Sequence, residues 1–108
     1  MIKIHCGYLG REVVLTDERY EHIKIHHPDL LPEYESALIG ALTDPDSVRK
    51  SDRFPNARLF TRFYEDIRSG RYAVVVVVSD TDPVERDWII TAYVTRKISG
   101  GIIEWEKK

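Results

Sequence analysis

The chain has one cysteine in 108 residues, Cys6, so no intramolecular disulfide can form and a reducing cytoplasm is the expected setting. His5 stands beside Cys6, a weak metal or redox signal that an ordinary strand cysteine explains more simply. No apolar run approaches the roughly 20 residues needed to span a bilayer, which argues against a membrane partner. The opening MIKIHCGYLG lacks the apolar stretch and cleavage signal of a secretory peptide. Repeats, linkers and low-complexity segments are absent. An excess of positive charge is missing too: the net charge of −2 argues against coating nucleic acid through bulk electrostatics. A hydrophobic fraction of 43% against 31% charged residues excludes disorder and fits one globular domain over residues 1–108.

The charges are unevenly placed. Thr16–Ser36 holds six acidic residues against Arg19 and Lys24, whereas Arg49–Arg71 holds seven basic residues against Asp52, Glu65 and Asp66. A basic strip of this size can grip a few phosphates, and it can equally be a solvated sheet edge.

The most ordered stretch is Arg71–Lys97. Tyr72–Ser79 carries five consecutive valines and Trp88–Val94 is a second β-rich run, with the polar Asp80–Asp87 and its Pro83 between them. Branched side chains fit a pleated surface, so the two runs predict an antiparallel hairpin. An unbroken apolar strand needs cover on both faces, which puts Val74–Val78 in mid-sheet. The second strand alternates, with Trp88, Ile90, Ala92 and Val94 on a core face. Ile89, Thr91, Tyr93 and Thr95 fall on the other face, just before Arg96 and Lys97.

Upstream, Ile2–His5 and Glu12–Leu15 flank two glycines and predict an opening hairpin. Thr16 has N-cap chemistry, with Asp17 and Glu18 in the first turn, and predicts a helix over Asp17–His27 that Pro28 closes. Pro32 predicts a second helix over Pro32–Leu42, ended by Asp44-Pro45-Asp46. Arg58–Tyr64 reads as a strand, and Ser47–Lys50 and Ile102–Trp105 as short ones. The expected fold is α+β: an N-terminal hairpin and two helices packed on one face of a roughly four-stranded antiparallel sheet. Polar side chains of Arg58–Tyr64 and Trp88–Thr95 would meet on the open face.

His22 and His26 have the i, i+4 spacing of a zinc pair, but no glutamate follows the first and a third ligand is hard to supply. Surface histidines on an amphipathic helix are the simpler account, and no metal or cofactor is expected. RNA cleavage without a metal needs a proton acceptor, a proton donor and cations facing a phosphate. Histidine suits the proton transfers, its ordinary pKa of roughly 6.5 lying near neutrality. Arg62, Arg96 and Lys97 are candidate phosphate ligands, and Thr91, Tyr93 and Tyr64 candidate groups for orienting or stacking on the substrate. A plain polar sheet face accounts for Thr91 and Tyr93 equally simply.

The pattern Leu15-Thr16…Arg19-Tyr20…His22-Ile23…His27-Pro28, then Pro45-Asp46, Val74–Val78 and Ile90-Thr91-Ala92-Tyr93…Lys97, resembles one family. It is similar to the phage- and prokaryote-associated branch of the barnase/EndoU/colicin/RelE-like nuclease superfamily. The resemblance implies a small α+β domain with metal-independent endoribonuclease activity. It also implies RNA as partner, and for toxin-type relatives a protein inhibitor such as an antitoxin or immunity protein. Carried over by position, the implied catalytic residues are His22, His27, Thr91 and Tyr93, with Lys97 just beyond. Two other readings stand beside this one: a non-catalytic RNA- or protein-binding module descended from a nuclease, and a metal-dependent hydrolase using His22 and His26. The valine strand also allows a homodimer paired across a two-fold.

Overall fold

Five valines in a row call for apolar cover on both faces; they receive it fully on the helix side and in part on the other, where Val76 and Val78 are half-buried. In the computed structural model, which describes residues 1–82 and 84–108, Val75 and Val77 lie in the core beneath the helices, while Val74 is fully buried on the opposite face. They belong to β5 (Arg71–Asp80), which pairs antiparallel with β6 (Arg86–Thr95), as the sequence implies. Pro83, expected in the connecting loop, lies outside the described residues.

The sheet itself corrects the expectation of about four antiparallel strands. It has seven, in the order β1-β2-β6-β5-β4-β3-β7, and it is mixed. The opening hairpin of β1 (Ile2–Cys6) and β2 (Arg11–Leu15) does not cover the sheet but extends it, β2 running parallel to β6 through Val13↔Asp87 and Val14↔Trp88. On the other side follow β4 (Ala57–Tyr64), β3 (Ser47–Lys50) and β7 (Ile102–Glu106). Local propensity reads each strand singly and does not register which distant segments join in one sheet, so the opening hairpin and the short strands are not counted into it from the sequence. The class remains α+β.

Helix α1 (Asp17–His26) starts where its cap predicts: Thr16 Oγ1 accepts the Arg19 N–H at 3.2 Å. It ends one residue early, with His27 as C-cap. Helix α2 spans Glu35–Thr43, not Pro32–Leu42. Leu30 and Leu31 are drawn fully into the core by turns over residues 28–34, so helical geometry begins only afterwards. Ala37, Leu38, Ala41 and Leu42 of α2 then pack toward β1, β4 and β5. Each large apolar side chain buried this way contributes about 1.5–3 kcal/mol. Cys6 is a buried core residue whose thiol pKa burial pushes up, as befits a structural cysteine. Among the described residues no helix is long and apolar enough to cross a membrane.

Two irregularities shape the face away from the helices. First, β6 carries a bulge: Val76 pairs with Thr91 but Val77 with Ile89, leaving Ile90 as the extra residue. The alternation therefore changes phase. Ile89, Ala92 and Val94 face the core, while Trp88 is only half-buried, its Nε1 donating to Asp80 Oδ2 at 2.9 Å. The expected core set Trp88, Ile90, Ala92 and Val94 is thus half wrong, because a period-two reading assumes an unbroken pleat. Second, β6 and β7 are separated in the sheet by three strands, so residues 96–101 must cross a face as a strap. Arg49 Nη1 holds the strap at the Gly100 carbonyl (3.1 Å). At Gly101, with φ +78°, an added Cβ would stand 2.8 Å from the Lys50 carbonyl oxygen, so only glycine allows this approach.

Candidate functional site

The β2–β6 pairing covers only two residue pairs, and beyond it α1 packs beside β6. The bulge makes this contact specific, since the Ile90 carbonyl accepts a hydrogen bond from Arg19 Nη1 at 3.1 Å. After the bulge, Thr91 and Tyr93 point to the face away from the core cluster, as their alternation predicted. The end of α1 brings His27 to them: its ring centroid lies 5.9 Å from that of Tyr93, at 41°.

Thr91 and Tyr93 line a pocket of about 370 Å³. Leu59 and Val76 contribute its floor, the loop after β3 contributes Ser51, Asp52, Arg53 and Phe54, and the strap closes one side at Ser99 and Gly100. Phe54 is 54% exposed at the lip. Burial pushes the Tyr93 phenol pKa up, while the positive charges of Arg49 and Arg53 oppose that shift. Tyr93 therefore remains a hydrogen-bond donor at neutral pH, in a pocket whose lining carries both Arg53 and Asp52, with the Arg49 charge acting from nearby. Arg49 Nε is buried without a hydrogen-bond partner, although Nη1 of the same guanidinium binds the strap.

His22 sits further back on α1, half-buried, its ring 4.4 Å from that of the exposed His26. Partial desolvation and the positive charges of Arg19, His26 and His27 lower the His22 pKa, keeping it neutral near pH 7. The described residues contain no cluster of three or more His, Cys, Asp or Glu side chains that could hold a metal ion.

The basic and aromatic residues expected from β4 are elsewhere. Phe60 faces the core, so Arg58, Arg62 and Tyr64, which share its parity, lie on the helix side. Arg62 pairs with Asp44 at 3.4 Å and lies over the Tyr64 ring, and Tyr64 Oη donates to the Ala37 carbonyl at 2.9 Å. The sheet thus separates Arg62 and Tyr64 from Thr91 and Tyr93. Arg96 and Lys97 are exposed at the start of the strap, outside the pocket lining. Sequence reading did not single out Arg49 and Arg53, the cations whose charges act on Tyr93. The local basic strip held both, and the Ser47/Arg49 alternation would have put Arg49 on the Thr91 face once β3 was paired with β4. No family model, curated protein or solved structure matches the chain.

Proposed function

We propose that the chain is an endoribonuclease that cleaves RNA without a metal, by attack of a ribose 2′-oxygen on the adjacent phosphorus. The observation that carries this reading is His27 beside Tyr93, which with Thr91 and Arg53 lines a pocket. In the reaction a histidine accepts the 2′-hydroxyl proton as the O2′–P bond forms. The P–O5′ bond breaks, a proton passes to the departing 5′-oxygen, and the products are a 2′,3′-cyclic phosphate and a 5′-hydroxyl. His22, held neutral by its surroundings, suits proton acceptance, and His27 lies close enough to Tyr93 to serve at the leaving oxygen. Arg49 and Arg53 offer the charge that the dianionic transition state needs, so the chemistry calls for no metal. Likeness to the barnase/EndoU/colicin/RelE-like nucleases, carried by the motifs around His22, His27 and Tyr93, favours the same activity.

The test is cleavage of a labelled single-stranded RNA by wild type and by His22→Ala, His27→Ala and Tyr93→Phe. Each substitution should lower kcat/KM more than tenfold with the circular dichroism spectrum unchanged. Wild-type rates in all three would refute the assignment. A second reading, a binding module without catalysis, is favoured by the exposed Ile102, Ile103 and Trp105 of edge strand β7. RNA or protein binding with no cleavage product would select it.

A further inference from the structure

Strand register orders the strapped face into rows of side chains. Thr91, Val76, Leu59 and Arg49 form one row, and Tyr93, Val74, Thr61 and Ser47 the next. Thr95, Tyr72 and Phe63 form the third. Successive rows are two residues apart along each strand, about 7 Å, so the first and third are about 14 Å apart. Val74 and Thr61 in the middle row are fully buried. A second pocket, of about 410 Å³, opens at the third row and is lined by Thr61, Phe63, Tyr72, Ile98 and Lys107 among others.

This second pocket has the makings of a stacking platform. Phe63 is 43% exposed, and Tyr72 meets it edge to face with centroids 5.1 Å apart. Ile98 of the strap and the Ser47–Thr61 hydroxyl pair (2.6 Å) complete the apolar and neutral part of the lining. The charges around it are of both signs. Arg49, Lys107 and Lys108 stand against Asp46 and Glu106, with the Asp46 carboxylate accepting the Phe63 N–H at 2.7 Å and Lys107 Nζ donating to Asp44 at 3.0 Å. Such a rim favours an uncharged, flat group over a phosphate.

We propose that this pocket stacks a nucleobase adjoining the cleaved linkage, so that the substrate is single-stranded RNA passing over the strap from the Tyr93 pocket to Phe63. The inference rests on the ribonuclease reading and adds its substrate class. A base in a duplex hides its faces in the helical stack, whereas an unpaired base can lie on an aromatic ring. Phe63 is the central contact, and Arg49, which lines this pocket and also acts on Tyr93, joins the two sites.

Two measurements test the proposal, using wild type, Phe63→Ala and Phe63→Tyr. The first is the ratio of kcat/KM for a single-stranded pentanucleotide to that for a dinucleotide of the same central sequence. The ratio should exceed ten for wild type, fall about tenfold in Phe63→Ala chiefly through KM, and recover in Phe63→Tyr; that scale is one base stacked on one ring. The second is fluorescence anisotropy with a 2′-O-methyl pentanucleotide, which cannot react, alone and annealed to its complement. The single strand should bind with a Kd weakened about tenfold by Phe63→Ala, and the duplex should bind at least tenfold more weakly than the single strand. A Phe63→Ala variant that matches wild type in both assays, or a duplex that binds as well as the single strand, overturns the proposal. Single-strand binding that depends on Phe63 without any cleavage would keep the stacking site and refute the nuclease reading instead.

Discussion

Replacing Asp87 with alanine should unlock the junction at which the opening hairpin joins the sheet. Asp87 is the second residue of β6 and is 3% exposed, and side chains from β2 and β5 both reach its carboxylate. Arg11 of β2 grips it in bidentate fashion, Nε to Oδ2 at 2.6 Å and Nη2 to Oδ1 at 3.0 Å, while Ser79 of β5 donates to Oδ1 at 2.5 Å. Removing one partner of a buried pair costs about 3–5 kcal/mol. The Arg11 side chain is 41% exposed and regains water, which lowers the expected cost to about 2–3 kcal/mol. With an unfolding entropy of about 2.1 cal/mol/K per residue, a chain of this length loses roughly 9–13 °C in Tm. The dependence on pH has a fixed sign. The Arg11 hydrogen bonds foremost, with Ser79 and against burial, hold the Asp87 carboxyl below the usual aspartate range. The stabilisation is therefore full above about pH 4 and is lost as pH falls through the depressed folded value. Thermal unfolding by circular dichroism, run from pH 7 down to pH 2, should show the wild-type and Asp87→Ala curves converging at the acid end. A Tm loss under 3 °C at pH 7, or a gap that does not change with pH, would refute this account of how β2 is held parallel to β6.

Other consequences follow from the same geometry. Gly40 on α2 has no room for a side chain because Tyr64 Oη occupies the space, with Cζ behind it at an ordinary 3.5 Å. Gly40→Ala should lower stability despite alanine's better helix propensity, whereas in a Tyr64→Phe background the same change should raise the unfolding free energy by up to about 1 kcal/mol in denaturant titrations. Burial, with the hydrogen bond to Glu104 and that carboxylate's charge, pushes the Tyr8 pKa up to about 12. Its stabilising contribution is complete below about pH 10 and fades as pH rises through the folded value, so Tyr8→Phe should flatten the alkaline loss of stability in urea titrations. Arg62→Ala should leave RNA cleavage within about twofold of wild type, since the guanidinium belongs to the Asp44–Tyr64 cluster behind the sheet, while Arg49→Ala or Arg53→Ala should reduce cleavage at least tenfold.

Local features of the chain were legible from its residues; relations between distant segments were not. Thr16, Asp17 and Glu18 announce α1, and the valine run with its alternating partner announces the β5–β6 hairpin, because caps and pleats act within a few residues. Thr91 and Tyr93 were assigned to the correct face because the bulge lies before them. Trp88 and Ile90 were not, since one inserted residue inverts everything on its far side. Arg62 and Tyr64 looked available because alternation gives two faces without saying which is buried. Phe60 decides it, and its burial depends on α2 and on Tyr8, whose ring packs edge-on against it. The parallel β2–β6 contact and the strap to β7 rest on pairings tens of residues apart. That separation hid Arg53, which lines the pocket, and Arg49, whose charge acts on Tyr93.

The most direct test of the central claim is the chemistry of the cut ends. Purified protein is incubated with total RNA and with a defined oligonucleotide, with and without EDTA, beside a His27→Ala/Tyr93→Phe double variant. The account predicts 2′,3′-cyclic phosphate and 5′-hydroxyl ends, formed equally well in EDTA, absent with the double variant and absent when the attacking 2′-oxygen is replaced by hydrogen. Products carrying 5′-phosphates, or cleavage that EDTA abolishes, would contradict it.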